Sequence, residues 1–165
     1  MYHIIVNPAS RSGRGLRIWK KQVEPVLIRE KVSFRSYLSE KPGDVIRIAK
    51  GLSESAENNT TLQIIVLGGD GTVNETLQGV SVPSRLILGY IPTGSSNDLA
   101  RDLGLPENPV DALHLILHTA TPTPMDLGHI TYPDGESRCF LVSCGIGYDA
   151  AVCEEVLRSP MKTAL

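Results

Sequence analysis

Residues 62–67, Leu-Gln-Ile-Ile-Val-Leu, are apolar at all positions but one and run straight into Gly68-Gly69-Asp70-Gly71-Thr72. A run of that length and composition fits a strand covered on both faces, the situation of a strand inside a parallel sheet. The arrangement repeats at 85–91, which enters Pro92-Thr93-Gly94-Ser95-Ser96. A third β-rich run, Tyr2–Val6, stops at Asn7-Pro8, where proline removes a donor that the ladder needs. Residues 32–38 read as a fourth strand.

Between these runs the apolar residues recur at helical spacing. They do so from Leu16 through Trp19, Val23, Val26 and Leu27, in a helix that Pro25 should kink or divide. A second helix follows Pro42-Gly43-Asp44 with Val45, Ile46, Ile48, Ala49 and Leu52, and fades into a polar loop at 53–61. Further helices are expected over 73–80, from Asn97 or Asp98 through Leu103, over 110–118 and near 150–157. Pro122 and Pro124 break the chain before 127–132 and 137–143, two runs that flank the hairpin signal Pro133-Asp134-Gly135. Alternating strands and helices predict a three-layer α/β/α sandwich around a mostly parallel sheet, the hairpin adding antiparallel strands toward one edge. The 165 residues have room for one such domain.

Composition narrows the function classes. Sixteen Lys and Arg stand against eighteen Asp and Glu, with no basic run long enough to follow a phosphate backbone, which argues against a nucleic-acid partner. The longest apolar stretches fall far short of the roughly 20 residues that span a bilayer, and Met1-Tyr2-His3 lacks the basic start of a signal peptide. A soluble, cytoplasmic protein is expected, with at most peripheral membrane contact. Cys139, Cys144 and Cys153 are odd in number and have no C-x-x-C spacing, so they are expected as free thiols in or near the core. His114 and His118 have a metal-compatible spacing, but with no nearby carboxylate or Cys they read as helix surface.

The three loops at strand ends, 7–15, 68–72 and 92–98, should share a cleft, because ligands of such sheets bind at the carboxyl ends of the strands. Gly68, Gly69 and Gly71 would let backbone N–H groups approach a polyphosphate, helped by the positive end of the next helix, with Thr72 offering a hydroxyl. A carboxylate within a phosphate loop repels its ligand unless a cation lies between them, so Asp70 implies Mg²⁺ there; the competing reading is a tight turn with Asp70 as a cap. Ser95-Ser96-Asn97-Asp98 looks like an N-cap cluster, and capping alone explains one of its four polar residues. Asp98 could join Asp70 around a metal, and Asp126 is a third carboxylate that a turn would explain nearly as well. The first loop lacks the G-x-x-x-x-G-K-[ST] pattern and is not a P-loop; Asn7, Ser10 and Ser12 offer neutral donors, Arg11 and Arg14 charge.

Asn7-Pro8-Ala9-Ser10, then Gly68 through Glu75, then Pro92 through Arg101 together resemble the diacylglycerol kinase catalytic domain of the bacterial lipid kinases and the sphingosine kinase superfamily. Gly145-Ile146-Gly147-Tyr148-Asp149 resembles a glycine-aromatic-Asp segment of the same family. The resemblance implies transfer of the ATP γ-phosphate to a lipid hydroxyl, such as that of diacylglycerol, at a membrane surface. It implies a nucleotide site lined by Asn7, Pro8, Ala9, Ser10, Arg11, Ser39, Gly68, Gly69, Gly71, Thr72, Val73, Asn74, Glu75 and Ser95. It also implies that Asp70, Asp98 and Asp126 are catalytic and hold Mg²⁺ through water. Ser95 departs from the Thr usual in the family but keeps the hydroxyl.

The resemblance makes residues 1–165 a nucleotide-binding catalytic domain. It further implies a second, β-rich domain that completes the lipid site and supplies a glutamate as base. The expectation is that these residues alone bind nucleotide weakly and turn over lipid little or not at all, and that a face left for that domain could promote a homodimer. NAD kinases and phosphofructokinases share a related G-G-D-G-[ST] loop, but Val73-Asn74-Glu75 and the Gly-Ser-Ser-Asn-Asp loop fit the lipid kinases better. A nucleotide-binding module without catalysis is the rival of another class, against which the intact Asp70 and Asp98 argue.

Overall fold

The computed structural model describes residues 1–57, 60–118 and 121–158. Four strands, β1 (Tyr2–Val6), β2 (Phe34–Leu38), β3 (Leu62–Gly68) and β4 (Leu86–Pro92), form one sheet in the order β2-β1-β3-β4, parallel throughout. The register sets Ile4 beside Ile65 and Ile65 beside Gly89, so apolar side chains line up across the sheet on each face. The chain moves outward from β1 to β2 and then crosses to β3 on the other side of β1. The strand order therefore reverses between β1 and β3, and the loops that leave these two strands part to opposite faces.

Strand alternation divides the interior into two cores. On one face Ile4, Val6, Ile65, Leu67 and Ile91 pack against Trp19, Val23, Val26 and Leu27, and against Ala112 and Leu113 of α6 (Pro109–His118). On the other, Ile5, Ile64, Val66 and Tyr90 meet Val45 and Ala49 of α3 (Asp44–Ser55), and Val73 and Leu77 of α4 (Asp70–Gly79). Leu99 and Ala100 of α5 (Asp98–Asp102) complete that second core. Each fully buried Ile or Leu in these layers stabilises the fold by roughly 1.5–3 kcal/mol relative to exposure. The layers are those that the alternation of strands and helices predicts.

The first helical segment is divided, as Pro25 requires. It consists of α1 (Ser10–Ile18), a π-helical turn over Trp19–Val23, and α2 (Glu24–Arg29), with the proline in the first turn of α2, where its missing N–H costs least. The helix expected over 73–80 begins earlier, at Asp70, because Gly69 takes the extended N-cap position and the glycines do not interrupt the turn. Strand β2 starts at Phe34 rather than at residue 32.

The hairpin forms, but not where the sequence pattern puts it. β5 (Gly128–Thr131) and β6 (Ser137–Phe140) pair antiparallel, Tyr132 and Glu136 closing a turn in which Gly135 adopts φ +86°. They make a separate two-stranded sheet instead of extending the edge of the main one. Its place is set by α4: the Gln78 side chain donates to the Cys139 carbonyl at 2.6 Å and accepts from the Cys139 N–H at 3.3 Å, as a neighbouring strand would. The last helix, α7 (Tyr148–Arg158), follows. The three cysteines belong to this part of the chain and are not core residues: Cys139 is half-buried, Cys144 and Cys153 are exposed, and all are free.

Candidate active site

Four sets of contacts lace the three strand-end loops into one platform. From the first loop, Asn7 donates its side-chain amide to the Thr72 hydroxyl at 3.0 Å, and its carbonyl side-chain oxygen accepts the Ala9 N–H at 3.1 Å. Ser10, buried, shares a hydrogen bond of 2.9 Å with the Thr93 hydroxyl, also buried. The backbones of Gly69 and Gly94 touch: a Cβ on Gly94 would stand 2.6 Å from the Gly69 Cα, so the third loop has no room for a side chain at the crossing, and a Cβ on Gly69 would be tight, at 3.1 Å from the Gly94 Cα. Asp70 supplies the fourth set, reaching from the second loop to the third.

Both oxygens of the Asp70 carboxylate cap α5. The Asp98 N–H donates to Oδ2 at 2.9 Å and the Leu99 N–H to Oδ1 at 3.2 Å. These N–H groups are the ones a helix start leaves unpaired, and a residue 28 positions away satisfies them. The Ser95-Ser96-Asn97 cluster, expected to cap the helix, does not do so by side chain. Asn97 closes its own loop instead: its Oδ1 accepts from the Gly94 N–H at 2.9 Å and from the Tyr90 hydroxyl at 3.2 Å, and its amide donates to the Gly94 carbonyl at 3.0 Å. Burial first, and then the Asp70 charge, push the Tyr90 phenol upward, so it stays a protonated donor.

The other expected residues divide between platform and rim. Ser39 follows β2, its N–H on the Val6 carbonyl at 3.0 Å, and so stands at the same end of the sheet. Pro8 is half-buried, while Ala9, Arg11 and Ser95 are exposed. Arg11 and Ser12 take left-handed backbone at φ +50° and +58°, followed by Gly13 at +88°. Three such residues in succession are uncommon outside functional loops. Asn74 is exposed on α4, and Val73 and Thr72 are buried beneath it. Desolvation raises the pKa of half-buried Glu75.

Asp70 and Asp98 line a cavity of about 360 Å³ together with Gly71, Val73 and Asn74. The hairpin forms the opposite wall, with Ile130, Tyr132 and residues 138–144. Asp98 is held by Arg101, whose guanidinium donates at 2.8 Å and also reaches the Ser96 carbonyl at 2.9 Å. Asp126 is exposed in the segment before β5 and does not line this cavity. Among the described residues no group of three His, Cys, Asp or Glu side chains is placed to hold a metal ion. The pair of carboxylates suits a hard cation that takes its remaining ligands from water and phosphate, which is the habit of Mg²⁺.

Three features escaped the sequence reading. Gln78 and Arg138 have no motif to mark them, because the hairpin meets α4 across 61 residues of chain. His114 and His118 do have a carboxylate near them: Glu30, just after α2, lies 3.1 Å and 3.6 Å from their Nε2 atoms. Only the packing of α6 beside the first helical segment reveals it.

Residues 1–130 match the diacylglycerol kinase catalytic domain. The chain is 30% identical over 165 residues to "Putative lipid kinase YtlR" of Bacillus subtilis, covering 98% of this chain and 52% of that protein. It is 37% identical over 135 residues to a diacylglycerol kinase of Staphylococcus saprophyticus, covering 79% and 39%. A crystal structure of a diacylglycerol kinase from Bacillus anthracis superposes with a TM-score of 0.65 at 28% identity, over 82% of this chain and 44% of that one. The chain thus spans about half, or less, of the length of these relatives. The match takes in all three laced loops, and with them the chain belongs to the diacylglycerol kinase catalytic domain family.

Proposed function

We propose that these residues form the nucleotide-binding and phosphoryl-transfer part of an ATP-dependent lipid kinase that phosphorylates a lipid hydroxyl at a membrane surface. The observation that carries the reading is the Asp70 bridge, which fixes a carboxylate between the glycine loop and the start of α5, beside a cavity that Asp98 also lines. Phosphoryl transfer asks a protein chiefly for positioned charge around the phosphates. ATP would lie over Gly69–Thr72 with its phosphates toward the N-terminus of α4, within reach of the first loop. Mg²⁺ would be held by Asp70 and Asp98 through water, with Asp126 as a third, outer carboxylate, and would neutralise the phosphate oxygens as charge develops on them.

The platform's own residues supply orientation. Asn7, Ser10, Thr72 and Thr93 are engaged with one another, so their role is to hold the loop backbones where N–H groups can meet phosphate. Among the described residues no helix is long and apolar enough to cross a membrane, and contact with the lipid surface would be peripheral. The test is transfer of γ-phosphate from ATP to diacylglycerol, sphingosine, other hydroxylated lipids and NAD, using the longest natural form of the protein. Mg²⁺-dependent phosphorylation of one lipid, abolished by Asp70→Asn, is expected. ATP binding with no lipid phosphorylated would overturn the reading in favour of a nucleotide-binding module, and transfer to NAD would reassign the acceptor.

A further inference from the structure

The cavity shared by Asp70 and Asp98 has one cationic residue in its lining, Arg138 of β6, contributed by the hairpin. Asp98 has its own cation in Arg101, whereas Arg138 makes no ion pair among the described residues. A guanidinium suits phosphate because its planar fork donates two parallel hydrogen bonds as well as charge. To serve that purpose it must be held in place. The hairpin that carries it has no buried residue.

Leu127 and Leu141, at the base of the hairpin, pack against the core, and the Gln78 amide ties β6 to α4, bonded in both directions to the backbone of Cys139, the residue next to Arg138. Gln78 is itself oriented from within α4, donating to the Asn74 side-chain oxygen at 3.1 Å. Asn74 is one turn from Asp70 on the same helix and lines the same cavity. A short chain of polar contacts thus runs from the helix that carries Asp70 to the strand that carries Arg138.

We propose that Arg138 is a phosphate-binding residue of this site and that Gln78 is the positioning residue that presents it. The inference rests on the kinase reading above and adds a cation to it from outside the three motif loops. In this arrangement the carboxylates, with the cation they would hold, would meet the phosphates on the α4 side of the cavity and the guanidinium would meet them from the hairpin. Displacement of β6 from α4 withdraws the cation without touching the glycine loop.

The experiment is a double-mutant cycle on the Kd for Mg·ATP, measured by titration calorimetry on the longest natural form, with thermal unfolding followed for every variant. Arg138→Ala is expected to weaken binding about tenfold or more, and Arg138→Lys to recover part of the loss, since charge returns without the fork. Gln78→Ala should weaken binding too, while the double variant binds no more weakly than Arg138→Ala alone, because Gln78 acts through Arg138. If Gln78→Ala does not fold, Gln78→Glu, which keeps the acceptor and loses the donor, takes its place in the cycle. Binding by Arg138→Ala within about twofold of the parent, or fully additive losses in the double variant, would overturn the proposal. An Asp70→Asn arm separates the two levels. If its Mg²⁺ dependence is lost while Arg138→Ala is silent, only this inference falls; if the parent binds no Mg·ATP, the kinase reading falls and the inference with it.

Discussion

Residues 2–118 and residues 121–158 are built on different principles. The first region has two cores and loops tied to one another by buried hydroxyls, a side-chain amide and a carboxylate. In the second, no described residue is buried, and Val142, Ile146, Tyr148, Val152 and Val156 stand exposed. One region can hold its geometry by packing. The other rests on a four-residue ladder, one glutamine amide and two half-buried side chains, Leu127 and Leu141, that pack against the core on the α4 face. The cavity lies where the two meet, so one of its walls is stiff and the other is held by few contacts.

The sharpest way to break this contrast is to truncate one apolar side chain in each region. Ile65, 1% exposed in the centre of the sheet, should lose about 2–5 kcal/mol of stability as Ile65→Ala, measured by urea unfolding. Val152→Ala in α7, where the side chain is 43% exposed, should change stability by no more than about 0.5 kcal/mol. Comparable losses at the two sites would mean that α7 is packed in solution in a way the contrast denies.

A smaller effect probes the platform. Gly94→Ala places a Cβ against the Gly69 Cα, and the two backbones can only part, at a cost of about 1–3 kcal/mol. Because the crossing also sets the spacing of Asp70 and α5, Mg·ATP binding should weaken along with stability. Loss of stability with binding intact would separate the platform from the ligand.

The mildest test is acid. The Asp44 carboxylate accepts the N–H groups of Glu40 and Lys41 at 2.9 Å and 3.1 Å and faces Arg47, and these contacts, the Glu40 N–H foremost, hold its pKa below the ordinary aspartate value. A carboxyl with a lowered folded pKa contributes stability that is complete above its unfolded pKa and is lost as pH falls through the folded value. Thermal unfolding of the parent should therefore drop more steeply below about pH 4 than that of Asp44→Asn, which lacks the titration. Parallel curves would mean that the contacts of the carboxylate with residues 40, 41 and 47 add nothing to stability.

The same contrast governs what could be read from the residues alone. Strands β1, β3 and β4 and the cleft at their carboxyl ends follow from local patterns, an apolar run stopping against glycine or proline. The start of α4 did not, since the glycines that serve a close approach also read as a break. That Asp70 caps α5, and that Ser10 and Thr93 spend their hydroxyls on each other, depends on loops 28 and 83 residues apart in sequence. The hairpin's turn was written in Pro133-Asp134-Gly135; its seat on α4 depends on Gln78, which looks like any polar helix residue. The cysteines were misplaced for a related reason: a small apolar residue is core only if a core reaches it, and beyond residue 118 it is half-buried Leu127 and Leu141 that pack against one, among the described residues, and not the cysteines.

The π-helical turn over Trp19–Val23 has a consequence for how the length of this chain can drift among relatives. A wide turn holds one residue more than an α-turn of the same rise would need, and its exposed members Lys20, Lys21 and Gln22 touch neither core. Removing one of them moves Val23, Val26 and Leu27 from positions four, seven and eight beyond Trp19 to three, six and seven, which still share a face once the turn tightens to ordinary pitch. The same deletion inside α4 would rotate Gln78 about 100° away from the hairpin while leaving Asp70 in place. Single-residue gaps between relatives should accordingly collect at 20–22 and avoid the helix that bridges the glycine loop and β6.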